Sequence, residues 1–258
     1  MSESTRRAPC PVCDRGPRDT ALSVKVDERG TVMFCHRCGY TAADNLERVP
    51  NIVPTKAEAP LEWSDRAERI WRITQPLGRI ALAYLQHRGC VIPPDDGDLR
   101  YLPATDRHPP TLCARITDAL TAQPLSLHFT ELQLDGSGRG ERRLLAAHRK
   151  KGGVIRLWPD EAITHGLAVA EGIESALAAG HLFAPVWVAI DAGNLEYLPV
   201  LAGIESLTIF ADNDPAGLQA ATACGRRWRD AGREVRILRA RTPGDDVADL
   251  AGRLGSAA

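Results

Sequence analysis

Two short acidic motifs stand directly after apolar runs in the C-terminal part of the sequence. Glu171 follows GLAVA, and Asp212 and Asp214 follow SLTIFA. Such runs are typical of buried strands, and ligands of open parallel sheets bind beyond the carboxyl ends of the strands. Carboxylates gathered there repel one another unless a cation neutralises them, and oxygen ligands suit Mg²⁺ or Mn²⁺. These residues therefore predict a site for a hard divalent cation.

A further acidic cluster, PGDDVADL, follows the last apolar run. Its Asp246 and Asp249 can complete a second cation position, and two such cations suit phosphoryl-transfer chemistry. An ordinary interpretation exists for Asp214, because an aspartate directly before Pro215 can also cap a helix. The joint placement of E-G after one strand and D-x-D-x-x-G after another favours the cation site.

Four of the seven cysteines form two close pairs near the N-terminus, Cys10 with Cys13 and Cys35 with Cys38. This C-x2-C…C-x2-C spacing is typical of a zinc ribbon, because two thiolates so spaced can reach one tetrahedral ion. The residues between the pairs predict a hairpin that turns near Gly30. Four thiolates leave no open coordination position, so we expect a structural Zn²⁺. The other three cysteines are expected to be buried apolar residues.

Basic residues crowd the segment that precedes the acidic motifs. The candidates for binding the phosphates of nucleic acid or nucleotides are Arg142, Arg143, Lys150 and Lys151. The KKGG segment is the strongest candidate, because glycines let a backbone approach phosphate closely. The alternative for each arginine or lysine is a solvated position on a hairpin.

The elements that must position these residues change along the chain. Residues 1–48 hold the cysteine pairs, and the proline-rich segment 49–62 is typical of a linker. Residues 63–160 begin with two helical patterns and continue as short strands, with a hairpin signal at Asp135–Gly138. Residues 161–258 alternate strands with helices, which predicts a parallel sheet covered by helices. The expected fold class is α/β, with a small zinc ribbon, a mixed α+β connector and a C-terminal parallel-sheet domain.

The motifs AEGIESALAA and IFADNDPAG together resemble the Toprim domain of DnaG-type primases, type IA and II topoisomerases, OLD-family nucleases and RecR-like proteins. This resemblance implies a Rossmann-like catalytic domain with Glu171 as a metal ligand or acid/base and Asp212 and Asp214 as a metal-binding pair. It also implies Mg²⁺ or Mn²⁺ as the catalytic ion. The loop with Asp246 and Asp249 reads G-D-D-V-A-D where the family motif is often G-K-D-x-N-D, so a lysine and an asparagine are replaced.

Segments that precede the acidic motifs indicate which Toprim proteins this sequence resembles most. YLQHRG, LHFTELQLDGSG and KGGVIRL are similar to segments of Toprim-type primases from phages, plasmids and integrative elements, which also begin with a zinc ribbon. The resemblance implies that residues 63–160 of this sequence bind template and nucleotide. It also implies that Gly193–Asn194 match a small-residue loop that lines the site.

The resemblance implies a DNA primase-like nucleotidyltransferase that makes short primers on single-stranded DNA during replication of a phage or mobile element. Its implied partners are a single-stranded DNA template, nucleoside triphosphates and a replicative helicase. The helicase must come from another chain, because the sequence contains no G-x4-G-K-[ST] loop. Two alternatives stay open: a Toprim nuclease that uses the same acids, and a non-enzymatic RecR-like DNA-binding recombination protein. A topoisomerase is disfavoured by the length of the chain.

The bulk composition predicts a cytoplasmic protein without a membrane partner. Apolar residues make up 44% of the sequence and charged residues 25%, with a formal net charge of −1. No apolar run is long enough to span a bilayer, and the N-terminal arginines are not followed by the apolar core of a secretory signal.

Overall fold

The structure is a computed structural model. It describes residues 4–12, 16, 19–27, 30–35, 40–43 and 63–239. The chain divides into two compact units, Met1–Ala59 and Pro60–Ala258, at a point inside the expected linker. Four of the candidate metal ligands lie outside the described residues: Cys13, Cys38, Asp246 and Asp249.

The described part of the N-terminal unit is an antiparallel sheet. Its strands, in spatial order, are β1 (Ser4–Ala8), β2 (Leu22–Asp27), β3 (Gly30–Cys35) and β4 (Thr41–Ala43). Strands β2 and β3 form the hairpin that the sequence predicts, with Leu22 opposite Cys35. Cys10 and Cys35, one from each cysteine pair, lie in the same buried cluster as Leu22 and Val24.

The second unit combines helices with strands over residues 63–239. Its helices are α1 (Asp65–Arg72), α2 (Arg79–His87), α3 (Ile173–Ala179), α4 (Ala192–Glu196) and α5 (Pro215–Asp230). Its strands are β5 (Leu99–Leu102), β6 (Thr111–Asp118), β7 (Pro124–Leu132), β8 (Arg139–Leu144), β9 (Gly153–Arg156), β10 (Gly166–Ala170), β11 (Val186–Val188), β12 (Ser206–Ala211) and β13 (Glu234–Arg239). A short 3-10 helix spans Asp160–Ala162. Over the described residues, none of the helices is long and apolar enough to cross a membrane.

These strands form one mixed sheet. Its order is β13-β12-β10-β11-β9-β6-β7-β8, and β5 pairs with β6. Strands β13, β12, β10 and β11 run parallel, whereas β9 joins β11 in antiparallel pairing and the strands beyond it continue antiparallel. The parallel sheet expected for the C-terminal part is therefore confirmed, and the strands of the connector extend it.

Local sequence explains where the helices begin and end. Ser64 caps α1, because its Oγ accepts a hydrogen bond of 3.3 Å from the Ala67 amide. Asp214 caps α5 in the same way, with Oδ1 at 2.7 Å from the Gly217 amide. Helix α5 is followed by Gly232 with a φ of +76°, a conformation that glycine adopts without strain.

Alternate residues of the parallel strands enter two cores on opposite faces of the sheet. In β10, Ala168 packs with α2 and α3, whereas Leu167 and Val169 pack with α4 and α5. The cysteines outside the N-terminal pairs are buried as predicted: Cys90, Cys113 and Cys224. Both faces of this part of the sheet are covered, which leaves the ends of the strands as the accessible edge.

Candidate active site

The parallel strands place two of the predicted acids at one edge of the sheet. Glu171 directly follows β10 and Asp212 directly follows β12, its neighbour, in which Phe210 pairs with Ala170. A Cβ atom on Gly217, in the first turn of α5, would lie 2.8 Å from Glu171 Oε1 and 2.7 Å from the Asp212 carbonyl oxygen. Glu171 and Asp212 therefore meet beside the start of α5, at a position that only glycine leaves open.

Asp214 caps a helix, the ordinary role that the sequence allows, and it also lies close enough to Glu171 to influence that carboxyl. It is exposed, and its Oδ1 caps α5 through the Gly217 amide. Its negative charge also acts on Glu171, because the Asp214 carboxylate is one of the groups that raise the pKa of Glu171.

Glu171 lies in an environment that disfavours its negative charge. Burial first, and then the carboxylates of Asp212, Asp214 and Asp191, raise the pKa of Glu171 to about 7. Its Oε1 atom is buried and has no hydrogen-bond partner among the described residues. A buried carboxylate oxygen in this situation is stabilised by a proton or by a cation.

The metal ligands themselves are not assembled in the described part of the chain. Residues 63–239 and the described N-terminal segments contain no group of three His, Cys, Asp or Glu side chains arranged to hold a metal ion. A divalent cation suits the negative charge of Glu171, Asp212 and Asp214 and the unsatisfied oxygen of Glu171. The described side chains are not arranged as a complete set of metal ligands.

Asp191 is a fourth acid at this edge, and no role was predicted for it from the sequence. It follows β11, which pairs with β10 on the side opposite β12. Its Oδ1 accepts a hydrogen bond of 2.8 Å from the Asn194 amide, which starts α4, and its Oδ2 forms an ion pair with Lys150 Nζ. The signal was present in the sequence, because Asp191 ends the run VWVAID much as Glu171 and Asp212 end theirs.

The basic KKGG loop is attached to the same edge by Asn194. The Asn194 side-chain amide donates to the carbonyl oxygens of Lys150, at 2.9 Å, and Gly153, at 3.2 Å, and its Oδ1 accepts from the Gly152 amide at 3.2 Å. Lys151 is exposed in this loop. The structure therefore brings the predicted Lys150 and Lys151 to the edge that carries the acids.

Residues 166–257 match the family model of the Toprim domain. The C-terminal part of the chain is a Toprim domain. Residues 62–157 match a second model, Domain of unknown function (DUF7146). No curated protein matches the chain. Glu171, Asp191, Asp212 and Asp214 all lie within the Toprim domain.

Several solved primase structures are distantly similar to the chain. The zinc-binding and RNA polymerase domains of Aquifex aeolicus primase are 16% identical, with 98% of this chain and 77% of that chain covered and a TM-score of 0.48. The primase fragment of the bacteriophage T7 primase-helicase protein is 14% identical, with coverages of 97% and 94% and a TM-score of 0.42. A DNA primase domain from Pseudomonas aeruginosa is 17% identical, with a TM-score of 0.37. This last match covers 67% of our chain and about half, 55%, of the Pseudomonas chain.

The other two predicted basic residues lie on β8 and not in the loop that Asn194 contacts. Arg142 and Arg143 are exposed on β8, the outer strand at the opposite end of the sheet, and the Arg143 guanidinium lies 4.7 Å from the centre of the Phe129 ring. Three strands separate β8 from β11, which corresponds to roughly 19 Å at the usual strand spacing. The predicted basic residues therefore form two groups.

A buried carboxylate one helical turn after Glu171 was also missed by sequence reasoning. Glu174 in α3 is 7% exposed, accepts a hydrogen bond of 2.8 Å from the Tyr84 hydroxyl and forms an ion pair of 3.2 Å with Arg139 Nε. Burial, with the Glu174 carboxylate, raises the pKa of Tyr84 well above its ordinary value. These contacts join the first helix of the Toprim domain to α2 and β8. No local pattern marks them, because the three residues lie far apart in the sequence.

Proposed function

We propose that the chain is a DNA primase-like nucleotidyltransferase that synthesises short primers on single-stranded DNA. The observation that carries the proposal is the environment of Glu171, a half-buried acid with a buried, unsatisfied oxygen and three further acids around it. It lies at the carboxyl edge of a Toprim sheet, the edge at which open parallel sheets bind ligands.

We propose Mg²⁺ or Mn²⁺ as the resident cation, held by Glu171, Asp212 and Asp214, with Asp246 and Asp249 completing a second position. Such cations, when bound, neutralise the triphosphate and stabilise the charge that develops on the departing pyrophosphate. The carboxylates supply oxygen ligands, and Glu171 can hold a proton at neutral pH when no cation is present, because its pKa is about 7.

The two groups of basic residues suit two different phosphate chains. Lys150 forms an ion pair with Asp191 at the acidic edge, and Lys151 next to it is exposed. The two lysines therefore suit the phosphates of an incoming nucleoside triphosphate. Arg142 and Arg143 are exposed on the outer strand β8, where they suit the phosphates of a template strand. The primase-like reaction requires both substrates.

We further propose a structural Zn²⁺ in the N-terminal unit, bound by Cys10, Cys13, Cys35 and Cys38. Support comes from Cys10 and Cys35, which lie in one small buried cluster although they belong to different pairs. The sequence resemblance adds the proposed biological setting, which is replication of a phage or mobile element together with a replicative helicase.

The test is template-directed synthesis on single-stranded DNA with labelled nucleotides and Mg²⁺ or Mn²⁺. We expect Asp212→Asn to lose about a hundredfold or more in rate, because transition-state stabilisation falls by roughly 2.7 kcal/mol or more. The melting temperature should hold, because the substitution removes one of several repelling charges. Asp230→Asn is a matched control at the far end of α5, where the acid is 72% exposed.

Three outcomes would redirect the proposal. Full activity in Asp212→Asn would exclude this site as the catalytic centre. A wild type that cuts DNA without extending a primer would identify a Toprim nuclease. Binding of DNA with neither reaction would favour a RecR-like role.

A further inference from the structure

Asn194 makes three hydrogen bonds to one loop that lies more than forty residues earlier in the chain. Its side chain is 9% exposed and contacts the backbone of Lys150, Gly152 and Gly153 at 2.9–3.2 Å. The loop precedes β9, whereas Asn194 lies in α4 of the Toprim domain. A single buried side chain therefore joins the basic loop to the domain that carries the acids.

The contacts fit an asparagine and no other side chain of the same shape. The loop offers two carbonyl oxygens and one amide, and asparagine supplies two N–H donors and one acceptor. The reversed orientation of the side-chain amide would set its NH₂ group against the Gly152 amide and its oxygen against both carbonyls. Aspartate would keep the acceptor and lose both donors, and leucine would lose all three hydrogen bonds.

The loop is also held at its lysine side chain. Lys150 Nζ forms an ion pair with Asp191, and the Asp191 carboxylate caps α4 by accepting a hydrogen bond from the backbone amide of Asn194. Lys150 and Asp191 are 46% and 36% exposed, so water and an incoming anion can reach this ion pair. By contrast, the Asn194 contacts are buried. The backbone of the loop is therefore held in place, whereas the Lys150 ammonium group is free to exchange its partner.

We propose that Asn194 is a positioning residue, which holds the Lys150–Gly153 loop so that Lys150 and Lys151 bind the phosphate chain of a nucleoside triphosphate beside the Toprim acids. The substrate class rests on the proposed function, whereas the positioning rests on the Asn194 contacts. When the triphosphate binds, the Lys150 ammonium exchanges the Asp191 carboxylate for phosphate oxygens while the loop backbone stays in place.

The experiment compares ATP binding in the presence of Mg²⁺ with amide hydrogen exchange in the full-length chain. In Asn194→Ala we expect the Gly152 amide to exchange at least about tenfold faster and the Kd for ATP to rise about tenfold. Asn194→Asp should weaken ATP binding at least as much, because its carboxylate faces two carbonyl oxygens. Adding Lys150→Ala to Asn194→Ala should weaken binding by much less than the product of the two separate effects, because both changes act on one loop.

Thr74→Val is the matched control for lost stability. Thr74 is also buried and donates a hydrogen bond of 2.6 Å to the Trp71 carbonyl oxygen at the end of α1. The Thr74→Val variant should have a lower melting temperature, with an unchanged Kd for ATP and unchanged hydrogen exchange at the Gly152 amide. The inference is wrong if Asn194→Ala gives this same result, if its effect multiplies fully with that of Lys150→Ala, or if the wild type does not bind ATP. Normal ATP binding and the expected shifts in a protein that never extends a primer would keep the inference and overturn the proposed function.

Discussion

Glu171 and Asp191 illustrate how neighbouring acids at one edge of a sheet acquire different properties. Asp191 has the Lys150 ammonium group and the Asn194 amide as partners, which stabilise its negative charge. Glu171 is surrounded by further carboxylates, and its buried Oε1 has no hydrogen-bond partner among the described residues. A positive charge at this edge would therefore stabilise Glu171 more than Asp191.

The raised pKa of Glu171 predicts a pH dependence of stability. Because this pKa is about 7 in the folded protein and 4.5 ordinarily, the folded state binds the proton more tightly than the unfolded chain. The resulting stabilisation is complete below about pH 4.5 and is lost as the pH rises through about 7. In Mg²⁺-free buffer, we expect the melting temperature of the wild type to fall between about pH 5 and pH 8 more steeply than that of Glu171→Gln.

Thermal denaturation across this pH range, with and without added Mg²⁺, measures the effect. Mg²⁺ should remove most of the difference between the two proteins, because the cation replaces the proton at the same carboxylate. Parallel curves for wild type and Glu171→Gln in Mg²⁺-free buffer would contradict the assigned environment of Glu171.

Residues that directly follow apolar runs could be predicted from the sequence, and residues that act through distant contacts could not. Glu171, Asp212 and Asp214 stand next to strands whose ends are readable from hydrophobicity. The role of Asn194 depends on carbonyl oxygens 41 and 44 positions away, and that of Glu174 on Tyr84, 90 positions away. Such contacts follow from the packing of elements that are distant in the sequence, which the residues near Asn194 and Glu174 do not encode.

At the level of elements, the sequence predicted most strands and helices but not the partners of the strands. The two initial helices, the hairpin at Asp135–Gly138 and the parallel strands were all expected. Helix α4 was treated as a small-residue loop, because five residues are too few to show a helical period. The antiparallel pairing of β9 with β11 was not predicted, yet this pairing places the basic loop beside the acids.

The two groups of basic residues predict two separable effects on substrate binding. Arg142→Ala with Arg143→Ala should weaken binding of single-stranded DNA and lower the log–log salt slope by roughly 0.7 for each phosphate that the variant no longer binds. Replacing Lys150 and Lys151 with alanine should weaken ATP binding and change the affinity for DNA much less, because the loop precedes β9, three strand spacings or roughly 14 Å from β8.

Binding titrations at several salt concentrations test this, with Arg226→Ala and Arg229→Ala in α5 as a charge-matched control. An unchanged affinity and slope for DNA after replacement of both arginines would show that β8 does not bind the template. A control that weakens binding equally would indicate that only net charge matters.

For the whole molecule, the two units differ in the size of their cores. The described N-terminal unit has one small buried cluster, whereas the second unit has large cores on both faces of a nine-stranded sheet. A segment as small as the first unit needs a further source of folding free energy, and a structural Zn²⁺ typically supplies on the order of 10 kcal/mol.

We therefore expect metal analysis of the purified protein to find one tightly bound Zn²⁺ per chain. Cys35→Ser should lose it, whereas Cys90→Ser, a change at a buried cysteine of the second unit, should retain it. Hydrogen exchange should then show reduced protection in the sheet β1–β4 and unchanged protection in the second unit. Zinc-free wild-type protein, or full zinc content in Cys35→Ser, would contradict the proposed ribbon.

The pairing of β9 with β11 also restricts how this chain can have been inherited. The stretches that match two separate family models, 62–157 and 166–257, contribute strands to one sheet, with Val188 paired to Ile155 and Trp187 to Arg156. Recombination between the two stretches would leave the backbone groups of β11 open on one fragment and those of β9 on the other, and open edges invite aggregation. We therefore expect recombination between the two stretches to be tolerated only when the incoming stretch restores this strand pairing, so that the two stretches are inherited together.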